Sequence, residues 1–196
     1  TGRAFCTGGD VKDIIGKLFG KSDAQLLAFT RMTCDLIGNM RALEKPVVAA
    51  LNGTTCGAGA VIAAAADLRV AAESAKIAFL FTKVGLSGAD MGASWLLPRI
   101  VGLGRATELL MSGDFLDADS AERIGLYSRV VAQDRIVDEA RAWAVRLAAG
   151  PRTPWERYLT RRYDEHFAKL AQPGYTPTFW DCLSGNVSLG RDLWER

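Results

Sequence analysis

The chain has 196 residues, 49% of them hydrophobic, enough to bury one sizeable core and too few for two. Its 24 basic residues nearly balance 22 acidic ones, and no Lys/Arg block stands out before the last quarter, so nucleic acid and membrane surfaces are not the expected partners. No run approaches the ~20 apolar residues of a membrane span, and the first residues lack the charged-then-apolar pattern of a secretory leader; a cytoplasmic location is expected. Cys6, Cys34, Cys56 and Cys182 lie far apart, form no CxxC pair and have one histidine, His166, to share a metal with. Reduced thiols and no metal site are the expectation.

In chain order, Thr1 to Cys6 reads as the end of a buried element, which suggests a fragment lacking its N-terminal strands. After the Gly8-Gly9 turn and a mixed loop, Phe29, Met32, Leu36, Ile37, Met40 and Leu43 recur at helical spacing, and Pro46 closes that helix. Val47 to Leu51 is a short apolar run bounded by Asn52-Gly53, as a buried parallel strand would be. Ala58 to Ala66 is almost entirely Ala, Val and Ile, predicting a small-residue helix that packs its backbone tightly on a sheet. Asp67 ends it, and Leu68 to Val70 begins a strand.

An apolar run at 77–81 and a glycine-rich loop at 85–92 lead to predicted helices over 93–101, 105–111, 118–124 and 135–149, with a strand over 127–131 between the last two. Strands alternating with helices predict an α/β domain over residues 1–150. Past Pro151 the character changes: Trp155, Trp180, Trp194, Arg161-Arg162 and three of six prolines fall there. Residues 151–196 read as a helical tail or as a stretch out of frame with the rest.

Two glycine-rich turns carry candidate chemistry, Phe5-Cys6-Thr7-Gly8-Gly9-Asp10 and Cys56-Gly57-Ala58-Gly59-Ala60, the second between a strand and a helix. Unpaired backbone N–H groups at such turns, reinforced by a helix dipole, hold anions. Each turn alone is more often just a tight turn, and neither is a GxxxxGK[ST] or GxGxxG phosphate loop. Nucleotide hydrolysis is not expected.

The ordered set is more specific. Gly2-Arg3-Ala4-Phe5-Cys6-Thr7-Gly8-Gly9-Asp10-Val11-Lys12, Lys45-Pro46-Val47-Val48-Ala49-Ala50-Leu51-Asn52-Gly53, Gly57-Ala58-Gly59 and Ala65-Ala66-Asp67-Leu68-Arg69 together resemble the signature of the crotonase (enoyl-CoA hydratase/isomerase) superfamily. Lys83 to Leu86, Leu97 to Gly102 and Ala121 to Leu126 extend the likeness, which covers residues 1 to about 150. The resemblance implies a crotonase-like spiral of ββα units with a helical C-terminal region. It also implies two backbone donors, the amides of Thr7 and Ala58, for the oxygen of an acyl-CoA thioester. Cys6, Gly8, Gly9 and Gly57 would then lie along the coenzyme A, which belongs to the substrate, so no separate cofactor is expected. Family members are usually trimers or pairs of trimers, so a homo-oligomer is expected too.

Typical hydratases of the family use two glutamates to handle water, and here the matching positions hold Val61 and Phe81, which cannot move a proton. One carboxylate remains, Asp90, where dienoyl-CoA isomerases and aryl-CoA dehalogenases of the superfamily carry a catalytic aspartate. A pocket walled by Val61, Phe81, Leu86, Met91 and Trp95 would raise its pKa and suit it to proton shuttling, or to attack on an acyl or aryl carbon. Without the resemblance, Asp90 reads as the cap of the helix that follows. The resulting expectation is an isomerase or lyase that stabilises an enolate. Hydration or hydrolysis with Asp90 positioning water, and a noncatalytic acyl-CoA binder, remain the alternatives. His166 reads as a surface residue, and Asp10, Asp67, Asp114 and Asp117 as structural.

Overall fold

The computed structural model describes residues 2–43 and 45–149. The chain enters through β1 (Ala4–Cys6), then a π-helical turn (Val11–Ile15), a single turn α1 (Gly16–Leu18) and the long helix α2 (Asp23–Arg41). Two strands follow, β2 (Val48–Leu51) and β3 (Thr54–Cys56), then α3 (Ala58–Ala65). The pattern repeats with β4 (Leu68–Ala72), β5 (Lys76–Ala78), 3₁₀ turns at Leu80–Val84 and Asp90–Gly92, and α4 (Ala93–Val101). Helix α5 (Leu103–Ser112), strand β6 (Leu116–Asp117), α6 (Ala118–Arg123), β7 (Arg129–Val131) and α7 (Ile136–Ala149) complete the described chain.

Successive strands go to different sheets. One sheet has the order β1-β3-β5-β6 and the other β2-β4-β7, so each ββα unit contributes a strand to each sheet and the chain spirals. All pairings are parallel except β5 with β6. The Asn52-Gly53 step carries the chain between sheets, and Gly53 is required there because a Cβ would stand in contact with the Arg3 carbonyl carbon and overlap its oxygen.

The small-residue helix lies where its composition places it. Within α3, Gly59, Ala60, Val61, Ala63, Ala64 and Ala65 are buried, and they pack against Ile37 of α2, Val70 and Ala71 of β4, and Leu96 and Leu97 of α4 in one apolar cluster. A helix so deep leaves its last carbonyls without water. Two arginines meet them. Arg69, only 7% exposed, donates to the carbonyls of Ala64 (3.3 Å) and Ala66 and, from Nε, to Leu126 (2.6 Å). Arg41 donates to the Ala65 carbonyl at 3.1 Å and pairs with Asp67 at 2.8 Å. Asp67 also accepts the Val47 amide at 2.8 Å, so it ties α2, α3 and the start of β2 together rather than merely ending a helix. Burial pulls the Arg69 guanidinium down to about 10, Asp67 opposing and Arg41 assisting, so it stays charged at neutral pH.

Elsewhere the expected elements shift at their ends. Helix α2 begins at Asp23, inside the stretch read as loop, because Ser22 and Gln25 form a reciprocal capping box. It stops at Arg41, short of Pro46. Strand β3 was absent from the sequence reading, and the apolar run at 77–81 is half strand and half 3₁₀ turn. Tyr127 lies ahead of β7, since its amide and that of Leu126 both return to the Ala121 carbonyl and close α6.

Candidate active site

The two glycine-rich turns meet. β1 pairs with β3 in parallel, which brings Thr7, just past the end of β1, beside Gly57 and Ala58, just past the end of β3. A Cβ on Gly8 would lie 3.2 Å from the Cys56 carbonyl oxygen and 3.4 Å from the Ala58 nitrogen, so the backbones touch without side chains between them. Gly8 (φ 89°) and Gly57 (φ 56°) both take left-handed backbone, which explains glycine at each. Ala58 is the first residue of α3, so its N–H has no carbonyl to bind within the helix and sits at the positive end of the dipole. Thr7 and Gly9 are exposed, while Cys6, Gly8, Gly57 and Ala58 are half-buried, so a ligand reaches this corner from solvent.

Asp90 sits in the 3₁₀ turn that packs against both α2 and α3. It does not cap α4: the cap position is Gly92, at φ 81°, with no side-chain bond. Among the described residues its carboxylate accepts only the neighbouring Met91 amide, at 2.9 Å. Burial pushes the Asp90 carboxyl above the ordinary carboxylate value, and the Met91 N–H opposes this more weakly. Met91 holds a left-handed backbone (φ 54°) although it has a side chain and is buried, a strain of about 1 kcal/mol or more that the surrounding packing must maintain. Gly88 anchors the loop from the other side, since a Cβ there would crowd the Leu110 carbonyl at the end of α5.

Val61, Phe81, Met91 and Trp95 belong to one buried cluster, with Leu86 packed at its edge. That cluster is the core of the whole fold, running from Ile37 to Ala140, and these side chains are interior residues within it. Two surface concavities lie elsewhere: an open groove of about 750 Å³ along one face of α2, and one of about 490 Å³ between β2 and the start of β1. Asp10 binds the amides of Lys12 and Asp13, Asp117 caps α6, and Asp114 pairs with Lys83 at 2.6 Å, so these acids have structural work. His166 and Cys182 lie outside the described residues, and no group of three potential metal ligands occurs among the described ones.

Sequence reasoning missed two contributors. Arg69 was quoted only as part of a motif, and nothing in its spacing announced that its guanidinium would be buried under α3. The Cys56 thiol, expected only to be reduced, donates to the Thr7 carbonyl at 3.4 Å across the two turns.

The alternating two-sheet spiral with paired glycine turns defines a crotonase-fold protein. The family model for enoyl-CoA hydratase/isomerase matches residues 1–173, and the chain belongs to that family. A probable enoyl-CoA hydratase of Mycobacterium leprae is 38% identical over 164 residues, covering 82% of this chain and 55% of the relative. The 1,2-epoxyphenylacetyl-CoA isomerase of Escherichia coli is 37% identical over 150 residues, covering 76% of this chain and 57% of the isomerase. A Streptomyces coelicolor A3(2) structure assigned as an enoyl-CoA hydratase superposes with a TM-score of 0.76 at 46% identity, covering all of this chain and 66% of that one. A Bacillus anthracis enoyl-CoA hydratase gives 0.71 at 26% identity, covering 100% and 69%. The chain thus spans little more than half the length of these two curated relatives. Among the described residues no helix is long and apolar enough to cross a membrane.

Proposed function

We propose that this protein moves a double bond or rearranges the acyl group of an acyl-CoA thioester, with Asp90 as the proton carrier and the Thr7 and Ala58 amides as the oxyanion donors. The observation that carries this reading is Asp90 itself: half-buried, relieved of capping α4, raised in pKa, and part of a turn that packs against the helix whose first amide is Ala58. As carboxylate, it takes a proton from a carbon of the acyl group; the electron pair moves onto the thioester oxygen, and the two amides stabilise the resulting enolate. Returning the proton at another carbon completes an isomerisation with no change in composition. One such donor is worth about 3 kcal/mol of barrier. Water activation is disfavoured because Val61 and Phe81, at the positions of the hydratase glutamates, are apolar and buried.

The same apolar wall suits an unsaturated or aromatic acyl group, in keeping with the E. coli relative named for a phenylacetyl-CoA derivative. Cytoplasmic work in fatty-acid or aromatic-acid breakdown, as a homotrimer or pair of trimers, goes with this reading. The test is a turnover screen with 2-enoyl, 3-enoyl, dienoyl and aromatic CoA thioesters, read by mass spectrometry, with Asp90→Asn in parallel. An isomerised product that disappears in the variant supports the proposal. Addition of water instead assigns a hydratase in which Asp90 positions water, and binding without turnover makes the protein a noncatalytic acyl-CoA binder.

A further inference from the structure

We infer that Met91 is a positioning residue: its buried side chain holds a left-handed turn that sets the direction of the Asp90 carboxylate and leaves one carboxylate oxygen for the proton. The inference rests on the reading of Asp90 as the proton carrier.

Asp90 enters α4 through a reverse turn. The Ala93 amide donates to the Asp90 carbonyl, and the two residues between them, Met91 (φ 54°, ψ 20°) and Gly92 (φ 81°, ψ 15°), have dihedrals close to those of a type I′ turn. The commoner type I turn closes the same bond with right-handed central residues. The two are mirror images, so they lead the chain into α4 from different sides and place the Asp90 side chain differently beside the same helix. Local preference favours type I, because type I′ selects Gly, Asn or Asp at its first central position. Among the described residues Met91 is the one non-glycine with positive φ.

What holds the disfavoured form is the Met91 side chain. It is 5% exposed and lies in the core with Phe81, Trp95 and Leu97, and the turn packs against α2, α3 and α4. Reversing the sign of φ would swing its Cβ out of that position and withdraw the side chain from the core. The consequence falls on Asp90. The Asp90–Met91 peptide is trans, so its C=O and N–H point opposite ways. With the carbonyl held by Ala93, the Met91 N–H points away from the closing bond and meets Oδ1 of the Asp90 carboxylate at 2.9 Å. The peptide before Asp90 is fixed as well: the Asp90 amide donates to the Ser87 carbonyl at 3.1 Å, and the Ala89 carbonyl accepts the Gly92 amide at 3.3 Å. Backbone on both sides and one carboxylate oxygen are held, and Oδ2 has no partner among the described residues.

Gly92 allows the turn to be tested without disturbing the core, because nothing lies within 4 Å of a Cβ added there. Asparagine tolerates left-handed backbone and valine does not. Gly125, also left-handed (φ 79°) but at the end of α6, is the control. The readout is deuterium uptake from D2O into the α-carbon of phenylacetyl-CoA, read by mass spectrometry. Asp90 takes the α-proton as the electron pair moves onto the thioester oxygen, and the carboxyl, after exchange with solvent, returns a deuteron to the same carbon. Gly92→Asn should exchange within about threefold of wild type, whereas Gly92→Val should lose about 10- to 100-fold, with the Kd for the thioester within about twofold because the oxyanion turns are untouched. Met91→Leu, which keeps the buried apolar volume, should stay within about threefold of wild type, and Met91→Ala should fall with Gly92→Val. Gly125→Val should lower the melting temperature and still exchange like wild type. Exchange rates that simply follow melting temperature at both glycines, or a Gly92→Val protein that exchanges like Gly92→Asn, overturn the inference. A wild type that takes up no deuterium, or an Asp90→Asn variant that matches it, is a different outcome, which removes the proton-carrier reading and this inference with it.

Discussion

Gly59 and Gly38 are both helical glycines, and elementary propensity predicts that alanine at either stabilises the helix by about 0.5–1 kcal/mol. Their surroundings predict opposite results. At Gly38 in α2 nothing lies within 4 Å of an added Cβ, so Gly38→Ala should show the full gain. At Gly59 the Cβ would overlap the Cys6 carbonyl and lie 2.7 Å from the Cys6 Cβ, well inside the 3.4 Å at which ordinary contact begins. The end of β1 must therefore part from the start of α3 by on the order of 1 Å, and forcing atoms into such packing costs about 1–3 kcal/mol. Net destabilisation of about 1–2 kcal/mol follows once the propensity gain is subtracted. Since the segments forced apart carry Thr7 and Ala58, a misplacement of this size should also cost about 100-fold in turnover. Thermal melts by circular dichroism, with each kcal/mol worth roughly 2–4 °C in a chain of this size, read the stability; the acyl-CoA assay reads the rest. If Gly59→Ala melts as high as Gly38→Ala and keeps its activity, the close approach of the two turns is wrong.

Asp90→Asn should raise stability at neutral pH and leave it unchanged in acid. Because burial lifts the folded-state pKa above the ordinary 3.8, the folded protein binds more protons than the unfolded one between the two values. Stability therefore falls as pH rises through the raised pKa, and paired denaturant titrations at pH 3.5 and 7.5 that show the same difference would refute this. Arg69→Met should cost about 3–5 kcal/mol in urea unfolding, because it strips the carbonyls of Ala64, Ala66 and Leu126 of their buried donor; a loss under 1 kcal/mol would show that water takes its place. Tyr127 is 2% exposed with no hydrogen-bond partner for its hydroxyl among the described residues, and burial pushes its pKa up. Tyr127→Phe should thus be neutral or stabilising by about 1 kcal/mol, and a clear drop in melting temperature would reveal a partner.

Elements long enough to show a period were legible: α2 from its apolar spacing, α3 from its run of small residues, and α4, at Ala93–Val101, despite Pro98 inside it. Strands β2, β4 and β7 were legible too, but β3 and β6 were not. Thr54–Cys56 is three residues beyond an Asn-Gly step, too few to alternate, and β6 is two. At the site, the glycine motifs located both turns, but their close approach is what leaves no room for a side chain at Gly59. The role of Asp90 was open between capping and chemistry in one dimension. The left-handed Met91-Gly92 pair excludes the capping geometry, and no propensity scale foretells a left-handed methionine. Arg69 stayed hidden for a similar reason, since its partners are carbonyls, which every residue has.

The arginines beneath α3 also alter what its other end presents. A bare helix has poles of about half a charge each, so its field fades quickly with distance. Here two guanidinium groups and one carboxylate stand at the far end, a surplus of positive charge that overrides the negative pole. The eight-residue helix, about 12 Å long, is then positive at both tips, closer to a monopole than a dipole. An anion approaching Ala58 feels a longer-ranged attraction than the turn alone provides, supplied from the floor of the protein by side chains that never touch it.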